Sequence, residues 1–366
     1  MRRIRVLVVD DSVVARRLIS DAIASDPALE VVGTASHGGI ALKKLPLLNP
    51  DIVTMDIEMP EMDGLAALAE IRKLDRKLPV VMVSSLTERG AAATLDALAL
   101  GASDYVTKPT SASGVAGRDQ MLAELVAKLK AFGGGPTPAR QATHPPARHQ
   151  PLAAAPSTST TRRRIDVVAI AISTGGPNAL AAMIPQIPRD FPVPILIVQH
   201  MPPLFTKLLA DRLAARSAVA VKEAAAGDTM EAGTVYIAPG NHHMLVRRTG
   251  PGVSVVLDQG PPENSCRPAA DVLLRSVADV YGPGTLAVIM TGMGHDGLAG
   301  CQAIRQQGGQ VFAQDEQSSI VWGMPGFVVE AGLADEILSL GALPAAIVRR
   351  AAVGRGLPLS VAGGRG

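Results

Sequence analysis

Three aspartates stand where short strand-forming runs end: Asp10 and Asp11 follow VLVV, and Asp56 lies within MDIEMPEMDG. Carboxylates converging at the ends of neighbouring strands repel one another unless a hard cation sits among them. Mg²⁺ prefers such oxygen ligands and keeps several of its waters. Ser84, after PVVMV, offers a hydroxyl, and Lys108, before Pro109, offers an ammonium; both can bond a phosphoryl group. The set reads as a phosphoryl pocket around Asp56 beside an Mg²⁺ site. A second set follows. Ser173 ends VVAIAI and opens Thr174-Gly175-Gly176-Pro177, His200 ends PILIVQ, and Asp296 lies in the turn Met293-Gly294-His295-Asp296-Gly297. A hydroxyl, an imidazole and a carboxylate at three strand ends are the parts of a serine relay, in which histidine takes the serine proton and aspartate holds the histidine's tautomer. With an ordinary imidazole pKa of about 6.5, such a relay loses its base as the solution becomes acidic.

Other chemistry is less well served. IAISTGGP lacks both the lysine of GxxxxGK[ST] and the GxGxxG spacing, which weakens a nucleotide-phosphate reading, and it is not the GxSxG elbow either. His295 is expected to be exposed beside Asp296. His242 and His243 fall in a PGNHHM loop with no carboxylate at ligand spacing, so a metal role there is the lesser reading.

The elements that must position these residues are βα repeats. From Ile4 to about Lys130, β-branched runs (VLVV, EVVG, DIVTM, PVVMVS, DYVTKP) alternate with alanine- and leucine-rich helical stretches. Nearly continuous apolar strands suit a parallel sheet covered on both faces. Residues 131–164 are rich in proline and small polar residues and are expected to be a linker, because they cannot bury enough surface to fold alone. The rhythm resumes at Ile165 with IDVVAIAIS, VPILIVQHM, GTVYIAP, GVSVVLD and TLAVIMTGMG as strands. The expected division is 1–130, a linker 131–164, 165–355 and a tail 356–366.

A chain of 366 residues has room for two such domains. Its 35 basic and 33 acidic residues are spread widely, and the arginine run at 162–164 is short, so no basic face or recognition helix offers itself to nucleic acid. Two cysteines, Cys266 and Cys301, form no CxxC pair and suit a reducing cytoplasm. The N-terminus is neither a secretory signal nor a membrane span.

Over residues 4–125 the DD, MDIEMPEMDG, VSS and TKP elements resemble the receiver domain of two-component response regulators. That resemblance implies a flavodoxin-like fold with a parallel five-stranded sheet and Asp56 as phosphoacceptor. It implies Mg²⁺ on Asp11 and Asp56 with Asp10 nearby and the Glu58 carbonyl as a further ligand, and Ser84, Tyr105 and Lys108 as responders to the phosphate. Over residues 165–350 the elements STGGP, QHMP, IAPGNHHM, CRPAADVLLRS, MTGMGHDG and WGMP resemble the catalytic domain of chemotaxis protein-glutamate methylesterases. The resemblance implies an α/β/α domain with a mainly parallel sheet and no hydrolase cofactor, with Ser173 as nucleophile, His200 as base, Asp296 as its orienter, and Thr174 and Met293 near the oxyanion. The implied substrates are glutamate methyl esters, and in many members glutamines, of methyl-accepting chemotaxis receptors. The phosphodonor would be the chemotaxis histidine kinase, and the enzyme a cytoplasmic monomer. Ala171-Ile172 stands where the family usually has Gly-Ala, so a branched side chain is expected to narrow the pocket. Trp322 replaces the usual phenylalanine.

Overall fold

Strands whose residues are apolar on both faces need cover on both faces, and the structure supplies it with alternating helices. A computed structural model describes residues 2–109, 114–133 and 163–355. In the first unit β1 (Ile4–Val9), β2 (Leu29–Ala35), β3 (Ile52–Asp56), β4 (Val80–Ser84) and β5 (Asp104–Thr107) form a sheet in the order β2-β1-β3-β4-β5. Every pairing is parallel. Three of the intervening helices begin where a side chain accepts an otherwise unpaired N–H: Ser12 from Ala15, Asp63 from Ala66 and Thr87 from Gly90. The fifth helix, Gly114–Gly133, runs three residues past the expected boundary at 130. Of the expected linker only 131–133 and 163–164 fall among the described residues, and the expected tail lies outside them.

The second unit contains β6 (Val167–Ile172), β7 (Ile195–Gln199), β8 (Ala220–Glu223), β9 (Thr234–Ile237), β10 (His243–Thr249), β11 (Gly252–Asp258), β12 (Thr285–Ile289), β13 (Gln310–Gln314) and β14 (Glu336–Leu338). Seven of these make one sheet, ordered β14-β13-β12-β6-β7-β9-β8, parallel at each pairing. GVSVVLD is not part of it: as β11 it pairs antiparallel with β10 in a separate hairpin. His243 opens β10 and is buried, rather than lying in a loop. The chain leaves β6 towards β7 on one side and reaches β12 on the other, so the centre of the sheet is a topological switch point, where ligands bind at the carboxyl ends of strands.

The two units share an apolar boundary. The ring of Tyr105, from β5, stacks on Phe205 of the helix Phe205–Ala214 at 5.0 Å between centroids and 6° between planes. Arg212 of that helix donates to the Ala92 carbonyl at 2.9 Å and to Asp96 Oδ1 at 2.7 Å on the helix Glu88–Ala99. Asn178 donates to the Ala102 carbonyl at 3.1 Å. Phe205 is fully buried. Its replacement by alanine should destabilise the chain by about 3–5 kcal/mol, as for other buried aromatic truncations, read as a lower midpoint in chemical denaturation.

Candidate functional site

In the first unit the strand ends bring Asp10, Asp11 and Asp56 together, with carboxylate oxygens within 4.8 Å of one another. Lys108 Nζ lies 2.7 Å from Asp56 Oδ2 and 3.2 Å from Asp10 Oδ2. Asp10 Oδ2 is buried, and beyond this ion pair with Lys108 it has no partner among the described residues. Burial lifts the Asp56 pKa to about 6; Lys108 lowers it, and Asp10 and Asp11 raise it again. One ammonium does not neutralise three carboxylates, and this all-oxygen donor set, shared with a single lysine, fits a hard divalent cation such as Mg²⁺. Glu58 is exposed two positions beyond Asp56. Ser84 is not turned to Asp56. Its buried hydroxyl donates to the Gly90 carbonyl at 3.1 Å and accepts from Thr94 at 2.6 Å, both on the helix Glu88–Ala99. Tyr105 is buried at the boundary with the second unit.

In the second unit Ser173, His200 and the segment from Thr291 to Asp296 follow β6, β7 and β12. Ser173 is held by its backbone: its N–H donates to the Thr291 carbonyl at 3.0 Å, and its carbonyl accepts from Gln199 Nε2 at 3.0 Å. Gly175, at φ 76°, makes the left-handed turn into the helix Gly176–Met183. A Cβ on Gly176 would fall 1.8 Å from Gln199 Oε1, so any side chain there would displace the glutamine that bonds the Ser173 carbonyl. Ile172 is fully buried in the core, so its branched side chain does not narrow the cleft as expected from the sequence.

Asp296 is 2 % exposed, yet both of its oxygens are fully bonded. Oδ2 meets His200 Nε2 at 2.8 Å and the Ala270 N–H at 2.6 Å; Oδ1 meets the Asp271 N–H at 3.0 Å and Asn264 Nδ2 at 2.9 Å. The two N–H donors open the helix Ala270–Tyr281, whose positive end favours a carboxylate. Burial opposes this charge, but His200 and the two backbone donors hold its pKa down at about 2. Burial likewise opposes a charged His200, but Asp296 and Cys266 outweigh it and push the pKa up to about 10.

The expected triad is therefore assembled in part. His200 and Asp296 are joined, and Ser173 shares their cleft, but no hydrogen bond links Ser173 to His200. The other ring nitrogen, Nδ1, instead faces Cys266 Sγ at 3.6 Å. Thr174 and Met293 line the same cleft, and neither backbone N–H donates a hydrogen bond among the described residues, which leaves both free for a developing oxyanion. His295 is exposed, its ring edge-on to Phe327 at 5.9 Å. His243 uses both nitrogens on backbone, accepting from Ala269 and meeting the Pro261 carbonyl. The cleft, of about 830 Å³, is lined on one side by Ser173, His200 and Met293 and on the other by Tyr105, Thr107, Gln120 and Glu124 of the first unit. Sequence reasoning missed Asn264, Gln199 and Cys266 as parts of the site. Only the ENSCRPAAD run before a helix start hinted at the first and last.

Residues 168–347 match the family described as CheB methylesterase, and residues 6–116 match the response regulator receiver domain. A protein from Trichodesmium erythraeum named protein-glutamate methylesterase/protein-glutamine glutaminase is 47% identical over 96% of this chain and 99% of its own length. The chain belongs to the protein-glutamate methylesterase/protein-glutamine glutaminase family. A relative of the same name from Nocardioides sp. is 49% identical over 96% of each chain. The crystal structure of the Thermotoga maritima CheB methylesterase catalytic domain shares 43% identity, covering 51% of this chain and 99% of that one, with a TM-score of 0.50. The family's flavodoxin-like and α/β/α folds are those expected from the sequence.

A neutral imidazole is needed to take a serine proton, and His200 is held well above the ordinary imidazole value of about 6.5, so ester hydrolysis should climb from neutral into alkaline solution, with a midpoint above about 6.5. Asp296→Asn should move that midpoint down while cutting the rate, both read from kcat/KM against pH.

Proposed function

We propose that the chain is a phosphorylation-activated serine hydrolase that demethylates glutamate γ-methyl esters, releasing methanol, and deamidates glutamines on methyl-accepting chemotaxis receptors, giving sensory adaptation. The observation that carries this reading is the buried Asp296–His200 pair beside Ser173, with two free backbone N–H groups in the same cleft. The names of the relatives supply the substrate class. Asp296 accepts a hydrogen bond from the Nε2–H of His200, which fixes the tautomer and leaves Nδ1 as the base. Ser173 Oγ attacks the ester or amide carbonyl, its proton passes to Nδ1, and the oxyanion is met by Thr174 and Met293 N–H groups. The imidazolium then gives its proton to the leaving methoxy oxygen or amide nitrogen, which departs as methanol or ammonia, and water repeats the sequence on the acyl-enzyme.

The receiver covers this cleft with Tyr105, Thr107 and the helix Gly114–Gly133, which supports steric exclusion of a receptor helix. Asp10, Asp11 and Asp56 would hold Mg²⁺, with the Glu58 carbonyl as a further ligand, and the cation would neutralise phosphoryl oxygens during transfer to Asp56 from a histidine kinase. A phosphoryl group would compete for Lys108 and for the Ser84 hydroxyl, drawing the latter away from Gly90 and Thr94. Their helix carries Ala92 and Asp96, the partners of Arg212, so the change reaches the boundary between the units. The helices of the described residues include none long and apolar enough to cross a membrane. The working form would be a cytoplasmic monomer with no part in nucleic-acid binding.

Methanol release from methylated receptor membranes tests the reading. Ser173→Ala should lower it by about 10³-fold or more with the fold intact by circular dichroism; undiminished release would overturn the assignment. A small phosphodonor with Mg²⁺ should label Asp56 and accelerate release. Asp56→Asn or a chelator should abolish both effects. Arg212→Ala should raise the unphosphorylated rate severalfold, since it loosens the cover without touching the chemistry.

A further inference from the structure

His200 is positioned between two acidic groups, and the partner that its second ring nitrogen meets is sulfur. Asp296 is committed to Nε2 at 2.8 Å, and its remaining bonding capacity is filled by Asn264 and the start of the helix Ala270–Tyr281. Nδ1 is the ring nitrogen left for the cleft, and what it meets is Cys266 Sγ at 3.6 Å. Thiol, imidazole and buried carboxylate form the same nucleophile, base and orienter relay that cysteine hydrolases use. A thiol, at about 8.5, gives up its proton far more readily than a serine hydroxyl, and the thiolate is the more reactive nucleophile. Cys266 is only partly buried and lines the 830 Å³ cleft, so small reagents can reach it. Cys301 is the built-in contrast. It is fully buried, and burial pushes its thiol pKa up, which makes it inert.

We propose that Cys266 is an activated thiol, a modification site for small soft electrophiles and hydroperoxides, whose modification switches the hydrolase off. In the oxidative case Nδ1 takes the thiol proton and the thiolate attacks one oxygen of the hydroperoxide. The S–O bond forms as O–O breaks, and the departing alkoxide or hydroxide leaves as alcohol or water with the proton from His200. Sulfur loses two electrons to become a sulfenic acid, and the peroxide gains them. A low-molecular-weight thiol displaces water to give a mixed disulfide, and a second thiol restores Cys266 and leaves as the oxidised dimer. While the oxygen is in place it competes with Ser173 for Nδ1 and fills part of the cleft. The switching half of this proposal rests on the hydrolase reading; the reactivity of the thiol does not.

The experiment alkylates the full chain with N-ethylmaleimide at about pH 7 in the presence of chelator and follows each cysteine by mass spectrometry. Cys266 should react about tenfold faster or more than in His200→Gln, and Cys301 should not react in the folded chain. Equal Cys266 rates would overturn the relay. Should His200→Gln fail to fold, the pH profile of the unmutated chain decides: a rate already level at about pH 7 supports the proposal, and one still rising through about 8.5 as for a free thiol overturns it. A hydrogen peroxide pulse should then cut methanol release about tenfold or more, with recovery in dithiothreitol. Cys266→Ser and Cys266→Ala should each keep their own untreated rates. Equal fractional loss in those variants would overturn the switch, while the alkylation ratio would still report the thiol even if Ser173→Ala retained full esterase activity.

Discussion

The Asp296 carboxylate is a full negative charge buried at the carboxyl edge of the second sheet, and the site depends on how that charge is satisfied. Four donors meet its two oxygens, from His200, Asn264 and the first residues of the helix Ala270–Tyr281. A buried carboxylate with fewer partners would shed its charge by taking up a proton. The helix start and Asn264 satisfy it independently of the histidine, so in the proposed relay the carboxylate would orient the imidazole through a whole proton-transfer cycle without itself becoming protonated. The glycine-rich turn before Asp296 and the left-handed Asn264 and Ser265 serve the same end, since they bring their segments within reach of the carboxylate.

Placement on the sheet accounts for the rest of the geometry. Ser173, His200 and Asp296 follow strands that are adjacent or flank the switch point, so their side chains converge without long excursions. In the receiver the same rule gathers Asp10, Asp11, Asp56 and Lys108. The two units are joined through the Tyr105–Phe205 stack and the Arg212 contacts, so the elements that carry the two candidate sites touch one another.

Both βα units, their order and most site residues could be read from the sequence, because parallel strands buried on two faces write themselves as continuous apolar runs. Elements at the edges could not. AVKE, as β8, alternates between exposed and half-buried residues, and β14 has only three residues, so neither carries the signal of a central strand. GVSVVLD carries that signal but belongs to a hairpin, since an apolar run does not reveal its partner. The paired Asp296 and His200 were legible as motif residues, but the position of Cys266 at Nδ1 was not: a contact between residues 200 and 266 is a property of packing, with no local periodicity to announce it. The same holds for Ile172, whose direction is set by the alternation of β6 and not by its proximity to Ser173.

The stack of Tyr105 on Phe205 carries a cost for any signalling protein built this way. If phosphorylation opens the cover as proposed, a tighter stack would lower the turnover that escapes through spontaneous opening, but every increment of closure would have to be overcome by the same phosphoryl group, whose differential interaction with the two states is finite. A looser stack responds to sparse phosphorylation and leaks at rest. Under the proposed activation the aromatic pair would act as a gain control, and substitutions at position 205 would trade background for sensitivity without altering a single reacting atom.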